Sequence, residues 1–370
     1  MGKWGSLGRL VVLGLLAFLL AESAPAWADM GTRRVIRCRA AQPKCWPTSF
    51  DFTPGGKRLF YVERFTGQVR VQNLKTGADT RWATIENVKT DGSQGLLGLA
   101  LDPGWRRGER WVYVYFTRDA SPAENVIARL RKQNGLTITQ DLETIPSAVL
   151  GHNAGVIEFG PDRKLYAVTG DGGQPSRSQD QQDPAGKVLR INRDGSIPAS
   201  NPFPGNPAFS FGHRNSFGFT FDPLTGRLWQ TENGPECNDE VNLVVEGGNY
   251  AWGPNQGCGS LEPPHDTNQD GPPPPRLPKW LYQRTLGLTG ATFCNECGLG
   301  MRRNGDLLVG AYGGGGSIRA LNLTRHRRRV TGQQLVFDPR RGVLAMETGP
   351  KHGVFFSDET GIWVLVRRDR

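Results

Sequence analysis

"VIEFGPDRKLYAVTGDGG" (156–173) reads as a β-hairpin: an apolar strand, a turn at Gly160-Pro161-Asp162, and a second strand from Leu165 to Thr169. Branched and aromatic residues flank a turn whose proline and aspartate suit tight-turn geometry. The same order recurs at "FDFTPGGKRLFYVERFTGQVRVQNL" (50–74), "GLALDPGWRRGERWVYVYFT" (98–117) and "GFTFDPLTGRLWQTENG" (218–234). Weaker copies are "MRRNGDLLVGAYGGGGSIRALNL" (301–323) and "METGPKHGVFFSDETGIWVLV" (346–366). The turn prolines Pro54, Pro103, Pro161, Pro223 and Pro350 lie 49, 58, 62 and 127 residues apart, and the longest interval holds the copy whose turn "RRNGDL" lacks a proline. A mostly-strand unit repeating at this spacing has two apolar faces that it cannot bury alone, so copies stack around an axis until the ring closes. Six copies predict an all-β chain: a six-bladed β-propeller of four-stranded antiparallel blades. A single β-sandwich would not repeat its turn chemistry in this way. The 49 glycines and 26 prolines among 370 residues agree with many short strands and tight turns.

The first 28 residues read as a leader. Lys3 and Arg9 make a positive start, "LVVLGLLAFLLA" (10–21) is an apolar run too short to span a bilayer, and Ala26-Trp27-Ala28 is a small-x-small cleavage site. The expected mature chain, 29–370, is one propeller domain with no membrane span, secreted or periplasmic. The Pro-rich stretch "LEPPHDTNQDGPPPPRLPKW" (261–280) is expected as a long loop between the fourth and fifth blades, since repeats continue on both sides.

An exported chain with six cysteines predicts disulfides, with Cys38–Cys45 and Cys237–Cys258 as the local pairings. A zinc site at Cys294-Asn295-Glu296-Cys297 would need a second close pair, and Cys237 with Cys258 is a poor one. The formal charge of +10 suits an anionic ligand, an anionic surface or simple solubility. The densest basic run, "TRHRRRV" (324–330), has no interleaved aromatics and reads as a solvated turn, so nucleic acid is not an expected partner. "DTNQDG" (266–271) has calcium-loop spacing, but Leu277 stands where an EF-hand needs glutamate, and it reads as a polar turn.

Propellers place ligands on the axis, where loops from different blades converge. Three stretches carry more polar groups than plain turns require: His152-Asn153-Ala154-Gly155 with Asp171, "FGHRNSFGFTF" (211–221), and "TENGPECNDEVNLVVEGGNYAWG" (231–253). Together with "DGSQGLLGLALDP" (91–103) and "GKVLRINRDGSIPASNPF" (186–203), and in this order, they resemble the secreted PQQ-dependent sugar dehydrogenases, the soluble glucose/sorbosone dehydrogenase family. The resemblance implies a six-bladed propeller that binds PQQ and Ca2+ and oxidises an aldose at its anomeric carbon to the lactone, passing electrons to an external acceptor, as a monomer or dimer. It implies His152 as the general base, which suits an imidazole near neutral pH. Asp171 would orient that histidine, Arg214 would face the quinone oxygens, and Asn215 would contact the cofactor. Gly234 and Pro235 match a pair of calcium-binding carbonyls, and Glu240 and Tyr250 a further calcium-associated pair.

The chain departs from the glucose-oxidising branch of that family in its carboxylate clamp. Glycines of "GAYGGGGSIRAL" (310–321) replace the fifth-blade lysine, Gly342 and Leu344 stand at the sixth-blade arginines, and Gly151 replaces an acidic residue before the histidine. Two other classes therefore stay open. A non-catalytic propeller like that of hedgehog-interacting proteins would lose the clamp. A calcium-dependent lactonase would want several carboxylate ligands converging on the axis.

Overall fold

The computed structural model describes residues 30–38, 45–146, 150–253, 275–300 and 303–368. Six four-stranded antiparallel sheets are arranged as the blades of a propeller. Their innermost strands are Pro47–Phe52, Leu96–Leu101, Ile157–Phe159, Gly218–Phe221, Leu288–Phe293 and Ala345–Thr348. The first five blades each run outward in chain order, whereas the sixth takes its outermost strand, Met30–Arg37, from the other end of the chain, paired with Gly361–Arg367.

The second strand of every blade is almost wholly buried, because neighbouring blades cover both its faces. "VYVYFT" (112–117) shows how alternation serves this. Val112, Val114 and Phe116 pack on Phe60, Val62 and Val69 of the first blade. Tyr113 and Tyr115 face the other way, onto Ile157, Leu165 and Ala167 of the third. A strand covered twice reads as one continuous apolar run, with period-2 alternation choosing the neighbour.

Two devices lock the blades to one another. Inner strands run so close that a Cβ added to Gly98 would lie 2.1 Å from Gly155 O, and one added to Gly218 1.9 Å from Thr289 O. Only glycine permits that approach. The turn aspartates do more than turn the chain: Asp102, 1% exposed, accepts from Gly104 N and Tyr113 Oη and is reached by Arg193 of the third blade at 2.9 Å. Asp222 of the fourth blade is reached in the same way by Arg327 of the fifth. The basic run 324–330 is therefore only partly a solvated turn, because Arg327 crosses the blade boundary while Arg325, Arg328 and Arg329 stay exposed.

The cysteine expectation holds in outline. Cys38–Cys45 is a disulfide tying the sixth blade's outer strand to the first blade, and Cys294–Cys297 is a second disulfide rather than half of a zinc site. Cys237 is also disulfide-bonded, but the expected Cys237–Cys258 pairing lies outside the described residues, as do the leader 1–28 and the "DTNQDG" turn. One expectation is corrected. Trp280–Arg284 pairs with Cys237–Val244, so 261–280 joins the third and fourth strands of the fourth blade instead of linking two blades. No helix among the described residues is long and apolar enough to cross a membrane.

Among the described residues, two chambers on the axis share Thr48, Val156 and Phe217 as lining. The upper, about 290 Å³, is lined by residues that precede inner strands, among them Ser93, Ala154, Phe217, Gly287 and Leu344. The lower, about 240 Å³, carries three carboxylates from three blades: Asp51, Glu158 and Glu347.

Candidate active site

His152 sits at the mouth of the axis, just before the third blade's inner strand. Its backbone is left-handed (φ 53°), as is that of Ala154 (φ 51°), conformations that non-glycine residues adopt at a cost and that recur at functional sites. The hairpin's far end folds back onto it. A Cβ on Gly170 would lie 1.8 Å from His152 O, so the glycine before Asp171 is what lets the two ends meet.

Asp171 is fully buried and its Oδ1 lies 2.6 Å from His152 Nδ1. The same carboxylate accepts from Gly173 N at 2.7 Å and from Trp252 Nε1 at 2.7 Å. Two N–H groups already point at this acceptor, so the geometry assigns the Nδ1 proton to His152 as a third donor. Nε2 is then the nitrogen with the free lone pair, on a side chain 24% exposed.

A second arm comes from the turn between the third and fourth blades. Glu232 accepts from Arg214 N at 3.0 Å and Asn215 N at 2.6 Å through Oε1, while Oε2 lies 3.1 Å from His213 Nδ1. His213 also contacts Ser210 Oγ and stacks on Tyr250 at 4.7 Å, which makes it a structural histidine. Arg214 O accepts from Asp171 N at 2.9 Å, joining this arm to the histidine hairpin. The Arg214 guanidinium lies 5.1 Å from the Trp252 ring centroid and donates to Asn233 O at 3.1 Å. Burial lowers its pKa, and no carboxylate lies within ion-pair distance of it among the described residues. Trp252 thus links both arms, its indole N–H on Asp171 and its ring under Arg214. Sequence reading passed over it, although it lies within the "GGNYAWG" stretch (247–253).

Beneath these arms a buried lysine holds the loop that separates them. Lys187 Nζ donates to the carbonyls of Arg177, Ser178 and Ala185 at 2.9, 3.2 and 2.6 Å. Ser178 Oγ in turn donates to His213 O at 2.8 Å.

The Gly234–Pro235 corner lies beside Asn233, which lines the upper chamber. Gly234 N donates to Asp239 Oδ1, and Asp239 Oδ2 accepts from Leu286 N and Gly287 N, so that carboxylate is occupied in shaping the corner. Glu240 stands opposite Glu232 in the strand pair, and burial pushes its carboxyl up to about 8. Tyr250 Oη donates to Leu243 O and accepts from Val245 N. The structure therefore brings His152, Asp171, Arg214 and Asn215 into one connected network. It makes no hydrogen bond among the described residues that joins Glu240 or Tyr250 to the Gly234–Pro235 corner. No cluster of three or more His, Cys, Asp or Glu suited to a metal occurs among the described residues, so a cation at the corner would rest mainly on carbonyl oxygen.

A family model described as glucose/sorbosone dehydrogenase matches residues 45–362. The chain belongs to the glucose/sorbosone dehydrogenase family. Among its relatives in this family, quinoprotein glucose dehydrogenase B of Acinetobacter calcoaceticus is 35% identical over 53% of this chain and 48% of its own. The aldose sugar dehydrogenase YliI of Escherichia coli is 28% identical over 63% of this chain and 65% of its own. The chain thus spans about half to two thirds of the length of these relatives. A solved oxidoreductase of Thermus thermophilus, described as a glucose dehydrogenase, shares the fold at TM-score 0.76 and 26% identity, over 91% of this chain and all of the other. The PQQ-bound aldose sugar dehydrogenase of Streptomyces coelicolor shares it at TM-score 0.72 and 24% identity, over 92% and 98%.

Whether this family member's residues fit a polar cofactor is tested by what they leave unpartnered. Arg214 Nε, Asn215 Oδ1 and Asn233 Oδ1 are buried without a hydrogen-bond partner. Buried polar atoms are rarely left so, and these three belong to hydrogen-bonded neighbours, of which Asn233 lines the upper chamber, so they offer contacts to a polar ligand there. The residues fit.

Proposed function

We propose that the protein oxidises an aldose at its anomeric C1–OH to the lactone, with PQQ as the hydride acceptor, calcium beside it and an external electron acceptor. The observation that carries this reading is the His152–Asp171–Trp252–Arg214 network set beside the three unpartnered buried atoms. When bound, PQQ supplies the two-electron acceptor and calcium a Lewis acid. Arg214 and Asn215 would hold the former, and the carbonyls of Gly234 and Pro235 the latter.

The chain's own residues carry the proton chemistry. Asp171 holds the imidazole through Nδ1 and leaves Nε2 free, and Nε2 takes the C1 hydroxyl proton as hydride leaves C1 and the C1–O bond becomes a carbonyl. The imidazolium that forms is stabilised by the buried Asp171 carboxylate. The desolvated Arg214 presents positive charge where negative charge develops. Three disulfide-bonded stretches agree with an oxidising compartment, periplasmic or extracellular.

The test is to express residues 29–370 in a periplasm, add PQQ with calcium, and follow dye reduction across a panel of aldoses. Sugar-dependent reduction abolished by a chelator is expected; absence of any PQQ binding would favour a binding propeller instead. A finer expectation concerns the residue that sequence reading passed over. Trp252→Phe keeps the ring under Arg214 but removes one donor from Asp171, and should lower kcat by about tenfold with KM nearly unchanged, the loss of roughly one charge-assisted hydrogen bond. An equal rise in KM would mean that Trp252 serves sugar binding instead.

A further inference from the structure

The clamp that the resemblance leads one to expect is absent from the fifth and sixth blades, and the structure shows what took its place. Leu344 lines the upper chamber as an apolar wall. A side chain at Gly342 would collide with Tyr312, whose ring carbons lie 2.2 Å from a Cβ built there. Tyr312 also lines the chamber and sits 6.2 Å from Trp46. The next member of this wall is Arg64, which follows the first blade's second strand.

Arg64 lines the chamber together with Ser93 and Asn233. Nε donates to Gln94 O at 2.9 Å and one terminal nitrogen donates to Gly92 O, while the guanidinium packs on Phe65 at 4.7 Å and Trp46 at 5.5 Å. Its other terminal nitrogen, Nη1, makes no hydrogen bond among the described residues. No described carboxylate lies within ion-pair distance of Arg64, a state it shares with Arg214 and the buried Arg303, whereas Arg177, Arg190 and Arg327 each have one. Burial lowers its pKa, with Tyr312 as the one group that favours its charge. A desolvated guanidinium without a counter-ion, held rigid by two carbonyls and two rings at the wall of a cavity, is complementary to an anion with planar oxygens.

We propose that Arg64 is the cofactor's carboxylate anchor in this chain, a first-blade cation that replaces the missing fifth- and sixth-blade clamp. The proposal rests on the reading that PQQ binds in the upper chamber. Arg214 and Arg64 then contribute cations from the fourth and first blades, one toward the quinone and one toward a carboxylate.

The experiment measures binding without turnover. Quenching of tryptophan fluorescence is titrated with PQQ and with its trimethyl ester, which keeps the quinone and loses the charges, against wild type, Arg64→Met and Arg64→Lys. Arg64→Met should weaken PQQ by about 10- to 100-fold, the range of a charged hydrogen bond, and change ester binding by less than about twofold. Arg64→Lys keeps the cation while giving up the two loop hydrogen bonds, and should retain most of the preference for PQQ over the ester. This variant also covers the case in which Arg64→Met fails to fold. Equal loss for PQQ and ester in both variants would reduce Arg64 to a brace for the 92–94 loop and overturn the proposal alone. A wild-type protein that binds neither compound would overturn the PQQ reading and the proposal together.

Discussion

Replacing His152 with alanine should cut turnover by about a hundredfold or more while PQQ affinity and the melting temperature stay close to wild type. The expectation follows from how the ring is held. Its only described hydrogen bond runs from Nδ1 to Asp171, and the ring is 24% exposed, so little of the fold depends on it. What alanine removes is the imidazole that we propose as the base, held by Asp171 in one tautomer. Steady-state dye reduction alongside cofactor titration separates the two effects. A rate within a few-fold of wild type would dismiss His152 as the base. Asp171→Asn is the harsher companion, because Gly173 N and Trp252 Nε1 already donate to this group and an amide N–H₂ would oppose one of them. It should lose activity and some stability together, which marks Asp171 as a positioning residue and His152 as the catalytic one.

Thermal stability should fall as pH rises from 5 to 8.5, and Glu158→Gln should flatten that fall. Burial raises the carboxyls of Asp51 to about 6 and Glu158 to about 8, and raises that of Glu347 as well, with the neighbouring carboxylates adding to the effect on Glu158 and Glu347. In each case the folded-state value lies above the unfolded one. The folded protein therefore retains protons that the unfolded chain has released. The contribution is complete below the unfolded values near pH 4 and is lost as pH passes through about 6 to 8. With some screening by solvent in the channel, the trio is worth on the order of 2–4 kcal/mol across that window, or several degrees of melting temperature. A neutral amide at Glu158 cannot ionise, so the variant should gain on wild type at pH 8.5 and not at pH 5. Parallel curves for the two proteins would show that the axial carboxylates do not govern the pH response.

The features legible in the sequence were those determined by nearest neighbours along the chain. Turn prolines, turn aspartates and alternating strands announced six blades because a hairpin's chemistry is local. The features that join one blade to the next were not legible. Asp102 and Asp222 advertise turns, and nothing near them in sequence announces Arg193 and Arg327 as partners. Gly98 and Gly218 look like weak points in a strand until the neighbouring backbone is seen in contact with them. At the site, His152, Asp171, Arg214 and Asn215 were found through ordered motifs. Trp252 and Arg64 were not, since one lies within an acidic stretch and the other hides in an ordinary strand–turn junction. Glu240 and Tyr250, which the resemblance implies as a calcium-associated pair, hydrogen-bond to Asn242 Nδ2 and Leu243 O of the fourth blade.

The sixth blade has a bearing on how the molecule is made. Met30–Arg37 is synthesised before any other described strand and Gly361–Arg367 after all of them, yet they share one sheet. Until they meet, the early strand has no partner, and the late one presents an open edge on which any extended segment could pair. Contacts this distant in sequence form slowly. The seam is therefore the place where two copies emerging together would exchange strands, and where export that delivers one end well before the other leaves the ring open longest.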